Sequence, residues 1–134
     1  MSERGIEQQV TGLLAAANEL GGYAMSLVCT DQGLLVACAG DPVRGEEIAG
    51  FTALFDDIVG RAERDLSVQR VDEVTLLDPG RGRIIVRPLP GGGPARFFLV
   101  VRAPAHRTWR RHTNLLCKRV GALLDPLVVD EAAP

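Results

Sequence analysis

Apolar residues in the first twenty positions recur at three- and four-residue steps. Ile6, Val10, Leu13, Leu14, Ala17 and Leu20 share one side of a helix predicted over residues 3–20, and Gly21-Gly22 supply its stop. Two short apolar runs follow, residues 24–30 and 34–39. They are joined by Asp31-Gln32-Gly33, which reads as a β-hairpin. Gly40-Asp41-Pro42 breaks the second strand. Over residues 45–66 the helical pattern returns at its broadest, with Ile48, Phe51, Leu54, Phe55, Ile58, Val59, Ala62 and Leu66 on one side. That stripe holds two of the four phenylalanines and offers more apolar surface than one sheet face needs. Such a helix either lies deep in a core or shares its face with another chain.

Residues 71–77 alternate, with Val71, Glu73, Thr75 and Leu77 on one face and Asp72, Val74 and Leu76 on the other. The charges suit an edge strand, which invites pairing with another chain unless covered. Asp78-Pro79-Gly80-Arg81-Gly82 is a turn. Residues 83–89 form a fourth strand, the Gly- and Pro-rich stretch 90–95 a hairpin loop, and residues 96–102 a fifth strand. Its Phe97-Phe98-Leu99-Val100-Val101 core does not alternate, so both faces must be covered and the strand belongs in mid-sheet. A final helix over 106–124 carries Trp109, Leu115, Leu116, Val120, Leu123 and Leu124, and Pro126 with a short acidic tail ends the chain. The order α-β-β-α-β-β-β-α predicts an α/β (α+β) fold. It is a three-layer α/β/α sandwich on a five-stranded, mostly antiparallel sheet. One domain spans 1–134, with its core over about 6–124 and a flexible tail over 125–134.

Composition narrows the chemistry. Apolar residues make up 46% and charged residues 24%, ordinary for a soluble globular domain. A net charge of −2 gives no global reason to expect nucleic acid or an anionic membrane. No apolar run approaches the roughly 18–20 residues of a membrane span, and the start lacks a secretory signal. A cytoplasmic protein with no membrane insertion is expected. Cys29, Cys38 and Cys117 are an odd count inside apolar stretches, and read as reduced core residues. Cys29 and Cys38 would stand about 10 Å apart on paired strands, too far for a disulfide.

Catalytic signals are missing. A P-loop needs glycines followed by Lys-Ser or Lys-Thr, whereas the sole lysine, Lys118, precedes Arg119. Gly91-Gly92-Gly93 reads as a loop rather than an anion cradle. His112 and Cys117 face different sides of a helix, and His106 and His112 lack metal spacing. No cofactor or metal is expected. Arg102, His106, Arg107, Arg110, Arg111, His112, Lys118 and Arg119 concentrate positive charge. They read as a solvated helix face, with a phosphate, nucleic-acid or acidic-partner patch as the alternative.

The element order resembles the roadblock/dynein light chain family, together with the hairpin Leu27-Val28-Cys29-Thr30-Asp31-Gln32-Gly33-Leu34-Leu35-Val36-Ala37-Cys38-Ala39-Gly40. Its turn and second strand place Asp31, Gly33, Val36, Ala37 and Gly40 at the family's positions. The resemblance covers about residues 6–124 and is similar in size to MglB-type bacterial members. It implies a sheet with the middle helix on one face and the terminal helices on the other. It also implies dimerisation through the middle helix and third strand, and a platform for small Ras-like GTPases whose MglB-type members act as GTPase-activating proteins. The interface expected from the helix stripe and the third strand comprises Ile48, Phe51, Phe55, Ile58, Val59, Ala62, Val71, Glu73, Val74 and Thr75. On the polar flank Glu47, Asp56, Asp57 and Arg64 are candidates for partner binding. Glu46 and Glu47 would also face the helix dipole from the first turn. An arginine finger from Arg44, Arg81 or Arg83 is a physical route to activation, although the resemblance implies repositioning of the GTPase's own residues instead. The expected protein is therefore a homodimeric regulatory platform without catalytic machinery of its own. A non-enzymatic dimeric adaptor is the alternative. A small-ligand sensor is a third class, weakened because no polar cluster converges within an apolar segment.

Overall fold

The computed structural model describes the backbone of residues 3–89, 96–106 and 108–132, and the side chains of residues 5–89, 96–106 and 108–124. The expected loop at 90–95 and Arg107 lie outside the described residues. The elements are α1 (Glu3–Gly21), β1 (Met25–Thr30), β2 (Leu35–Ala39), α2 (Pro42–Asp65), β3 (Val74–Asp78), β4 (Gly82–Pro88), β5 (Phe97–Ala103) and α3 (Arg110–Ala132). The five strands form one sheet in the order β2-β1-β5-β4-β3, and every pairing is antiparallel. The order of elements is the expected one, with β5 in the centre and β3 at an edge.

Alternation along the strands divides the core in two. On one face Met25, Leu27, Cys29, Val86, Phe98 and Val100 pack under Ala49 and Phe55 of α2. On the other, Val28, Ala37, Ile85, Leu99 and Val101 meet Ile6, Val10 and Leu14 of α1 and Leu116 and Val120 of α3. β5 contributes to both clusters through consecutive residues, so its unalternated sequence reflects a strand sandwiched between helical layers.

Two glycines let α2 lie close to the first hairpin. Gly33 turns the chain at φ +84, and a Cβ there would stand 3.2 Å from the Cα of Gly50. At Gly45 a Cβ would stand 2.8 Å from the Cys38 sulfur, so only glycine admits this approach of helix to strand without a shift. After α2, Ser67 takes φ 58, the left-handed conformation that commonly ends helices.

The boundaries of three elements differ from expectation. α2 begins at Pro42 rather than residue 45, because Asp41 caps it: its carboxylate accepts from the Val43 N–H at 3.0 Å, and Pro42 fits the first turn. Glu46 and Glu47 consequently sit beyond the first turn, which contains no acidic residue, and the dipole role expected for them does not hold. Asp41→Ala should lower unfolding stability by about 1 kcal/mol, read as a shifted urea midpoint at unchanged m-value. β3 starts at Val74, three residues late, so Val71 and Glu73 belong to the preceding segment. There the Asp72 and Glu73 side chains both accept from Arg110 of α3. α3 starts at Arg110 instead of His106 and continues through Pro126 to Ala132. Among the described residues no helix is long and apolar enough to cross a membrane.

Candidate functional site

α2 lies over β1 and β2 and spends only part of its apolar side on them. Phe55 is 5% exposed and Val59 is buried, both turned into the sheet. Phe51 is 57% exposed, and Leu54 and Ile58 are also more than half exposed. The Phe51 and Phe55 rings meet edge to face at 5.8 Å, so one ring is core and its neighbour is surface. Ile48 packs against the core from a partly buried position, and Ala62 is half-buried. The Gly50–Ala53 side of the helix stands over the Gly33 turn. The helical period therefore turns the Phe51–Leu54–Ile58 stripe away from β2, toward the β3 side of the sheet.

On that side no helix seals the sheet among the described residues. Val74 and Leu76 of β3 lie opposite Val86 and Ile84 of β4; Val74 packs into the core, but Leu76 is 43% exposed. Thr75 and the exposed Leu77 point to the opposite face. β3 pairs only with β4, leaving its outer edge free among the described residues. Of the ten residues expected at a dimer boundary, Ile48, Phe51, Ile58, Ala62, Val74 and Thr75 therefore border the open surface. Phe55 and Val59 support it from within the core, while Val71 and Glu73 stand before the strand.

Beneath that edge the segment 70–73 is tied to α3 and β4 by a polar network. Arg87 is 5% exposed and donates from Nε to the Asp72 carbonyl at 2.9 Å, from Nη1 to Thr113 Oγ1 at 2.8 Å and from Nη2 to the Asp72 carboxylate at 3.3 Å. Arg110 donates to Asp72 at 2.7 Å and to Glu73 at 3.1 Å. Glu73 also accepts from the Trp109 indole at 2.9 Å and the Thr75 hydroxyl at 2.8 Å. The Arg83 guanidinium lies 4.3 Å from the centre of the Trp109 ring, a cation–π contact. The hydrogen bond from Arg110 leads the interactions that hold Asp72 below the usual carboxylate range. Burial pushes Glu73 up, but its bonds to Trp109, Thr75 and Arg110 outweigh that and lower it. None of these contacts is expected from the sequence, whose one local signal of the network is an arginine following Ile84-Ile85-Val86.

The remaining candidates are dispersed. Glu47 lies 3.6 Å from Arg44, Asp57 3.2 Å from Arg61, and Arg64 3.6 Å from Asp65, all exposed along α2. Asp56 is mostly buried and lies 3.1 Å from Arg96, so it is held within the chain, although the geometry of that ion pair is not a hydrogen bond. Of the finger candidates, Arg83 is stacked on Trp109, Arg44 faces Glu47, and Arg81 stands exposed in the β3–β4 turn. All three cysteines are free. Burial pushes the Cys29 thiol up to about 12 and the Cys117 thiol up to about 11, so both stay protonated at neutral pH.

No protein-family model matches the chain, and no curated protein matches its sequence. Solved structures do match. The roadblock/LC7 domain from Streptomyces avermitilis superimposes with a TM-score of 0.71 at 16% identity, over 85% of this chain and 96% of that one. Myxococcus xanthus MglB gives 0.72 at 12% identity, over 100% of this chain and 96% of that chain. An MglB with a tetrameric arrangement gives 0.67 at 15% identity, over 93% and 91%. At such identities the agreement is one of fold: the chain has the roadblock/LC7 fold seen in MglB.

Proposed function

We propose that this chain is a homodimeric platform that docks a small Ras-like GTPase and stimulates its GTP hydrolysis, with no nucleotide chemistry of its own. The observation that carries the reading is the exposed Phe51–Leu54–Ile58 stripe beside the open edge of β3. Three large apolar side chains more than half exposed on one helix side are costly to leave in water, at about 25 cal/mol per Å² of apolar surface, and a contiguous patch of this kind marks an interaction surface. Self-association through it joins two copies of β3 into a continuous sheet and packs α2 against its copy. Phe51, Ile58 and Val74 serve in this contact with Leu54 and Leu76. The tetrameric MglB supports self-association of the fold.

The GTPase partner comes from the resemblance to MglB-type members, and such a partner places the protein in the cytoplasm. The exposed flank of α2 carrying Glu47, Asp57 and Arg64 is the proposed docking surface; Asp56 is already engaged by Arg96 and contributes little. The GTP-bound form is the preferred one, because switch segments differ most between nucleotide states. The test loads each Ras-like GTPase of the source organism with GDP or a non-hydrolysable GTP analogue, then measures binding and single-turnover hydrolysis with and without this protein. Binding selective for the GTP form with faster hydrolysis is expected. Binding without acceleration would keep the platform and discard activation. No binding to any of them would leave a dimeric adaptor.

A further inference from the structure

A groove of about 760 Å³ opens between the C-terminal half of α2 and α3, where β4 ends and β5 begins. Five cationic side chains line it, Arg70, Arg87, Arg96, Arg110 and Lys118, against two carboxylates, Glu63 and Asp72. Val59, Leu89, Phe97 and Leu124 supply an apolar floor. The volume lies within the range typical of small-molecule sites, and the combination of apolar walls with a few convergent polar groups is their usual chemistry.

The charges are unevenly matched. One carboxylate, Asp72, serves three guanidinium groups: Arg70 at 3.1 Å, Arg87 at 3.3 Å and Arg110 at 2.7 Å. Glu63 accepts from the Val71 backbone N–H at 3.4 Å and pairs with none of these cations among the described residues. Arg96 gives one nitrogen to Asp56. Arg87 also spends donors on the Asp72 carbonyl and Thr113, and Arg110 reaches Glu73 as well as Asp72. A guanidinium has five N–H donors, so Arg70, with its contact to Asp72, and Arg96, with its contact to Asp56, keep unspent donors in the planar fork that binds carboxylate or phosphate two-pronged. Lys118 adds a charge with no ion-pair partner among the described residues, on the exposed side of α3.

We propose that this groove binds a small organic anion of about nucleotide size, a phosphate or carboxylate group held at the Arg70–Arg96–Lys118 rim and an apolar or aromatic body on the floor. The assignment goes beyond the GTPase reading and does not rest on it, since the groove belongs to each copy of the chain alone.

Calorimetric titration of the full chain at low salt tests it with three probes: AMP for the phosphate arm, phenylpyruvate for the carboxylate arm, and inorganic phosphate as the bare anion. Saturable one-to-one binding of AMP or phenylpyruvate is expected, at least about ten-fold tighter than inorganic phosphate, and the tighter of the two identifies the head group. Lys118→Glu should weaken that binding by at least about ten-fold while far-UV circular dichroism and Tm stay those of the wild type. Arg111→Glu, an equal charge change on an exposed α3 position outside the groove, should alter it less than about two-fold. The proposal is overturned if neither organic probe saturates, if inorganic phosphate binds as tightly, or if Lys118→Glu has no greater effect than Arg111→Glu.

Discussion

Phe51→Asp should yield a folded monomer, whereas Phe55→Asp should yield no stable fold. The two rings are four residues apart and in contact, yet one is mostly exposed and the other is 5% exposed. Truncating a buried phenylalanine costs about 3–5 kcal/mol, and an unpaired carboxylate in its place adds several more. Together these consume most of the 5–15 kcal/mol by which a domain of this size is stable. At Phe51 the charge meets water in the monomer and is penalised only when a second copy covers it. Sedimentation at micromolar concentration reads the first effect and circular dichroism the second. Ile58→Asp should behave as Phe51→Asp does. A Phe51→Asp variant that still sediments as a dimer would remove the α2 stripe from the proposed interface.

The second large effect is expected at Arg87. Arg87→Met keeps much of the side-chain volume but deletes the groups that bind the Asp72 carbonyl, the Asp72 carboxylate and Thr113. Breaking a buried ion pair from one side costs about 3–5 kcal/mol. The lower end, about 3 kcal/mol, applies because Asp72 is partly exposed and retains Arg110. The loss should depend on pH. Asp72 and Glu73 are lowered by the fold, so the stability they contribute is present above the unfolded carboxylate value, about 4, and disappears as pH falls through their lower folded values. Urea unfolding at pH 7 should separate Arg87→Met clearly from the wild type, and at pH 3 the gap should narrow. A gap of equal size at both pH values would mean that the guanidinium acts through packing and its bonds to the Asp72 carbonyl and Thr113 rather than through the carboxylate.

Asp41-Pro42 is a complete helix start readable without any tertiary contact, whereas apolar periodicity alone begins α2 three residues late. The alternation of residues 71–77 extends backward into Val71 and Glu73, although the paired strand begins at Val74. An alternating pattern reports side-chain direction in an extended segment, and pairing additionally requires a neighbour in register, which β4 supplies from Val74 onward.

By itself the sequence determined the order of eight elements, the central place of β5 and the edge position of β3. These follow from periods of two and 3.6 residues and from the need to cover an unalternated apolar strand on both faces. It also marked α2 as carrying surplus apolar surface. Only the tertiary structure decided how that surplus divides, because the border between Phe55 in the core and Phe51 outside it depends on where the helix axis lies over β1 and β2, set in part by the close approach at Gly33 and Gly45. Only the fold brings Asp72, Arg87 and Arg110 together: the two arginines are 15 and 38 residues from Asp72 in sequence, and no local period encodes ion pairs closed between a loop, a strand and a helix.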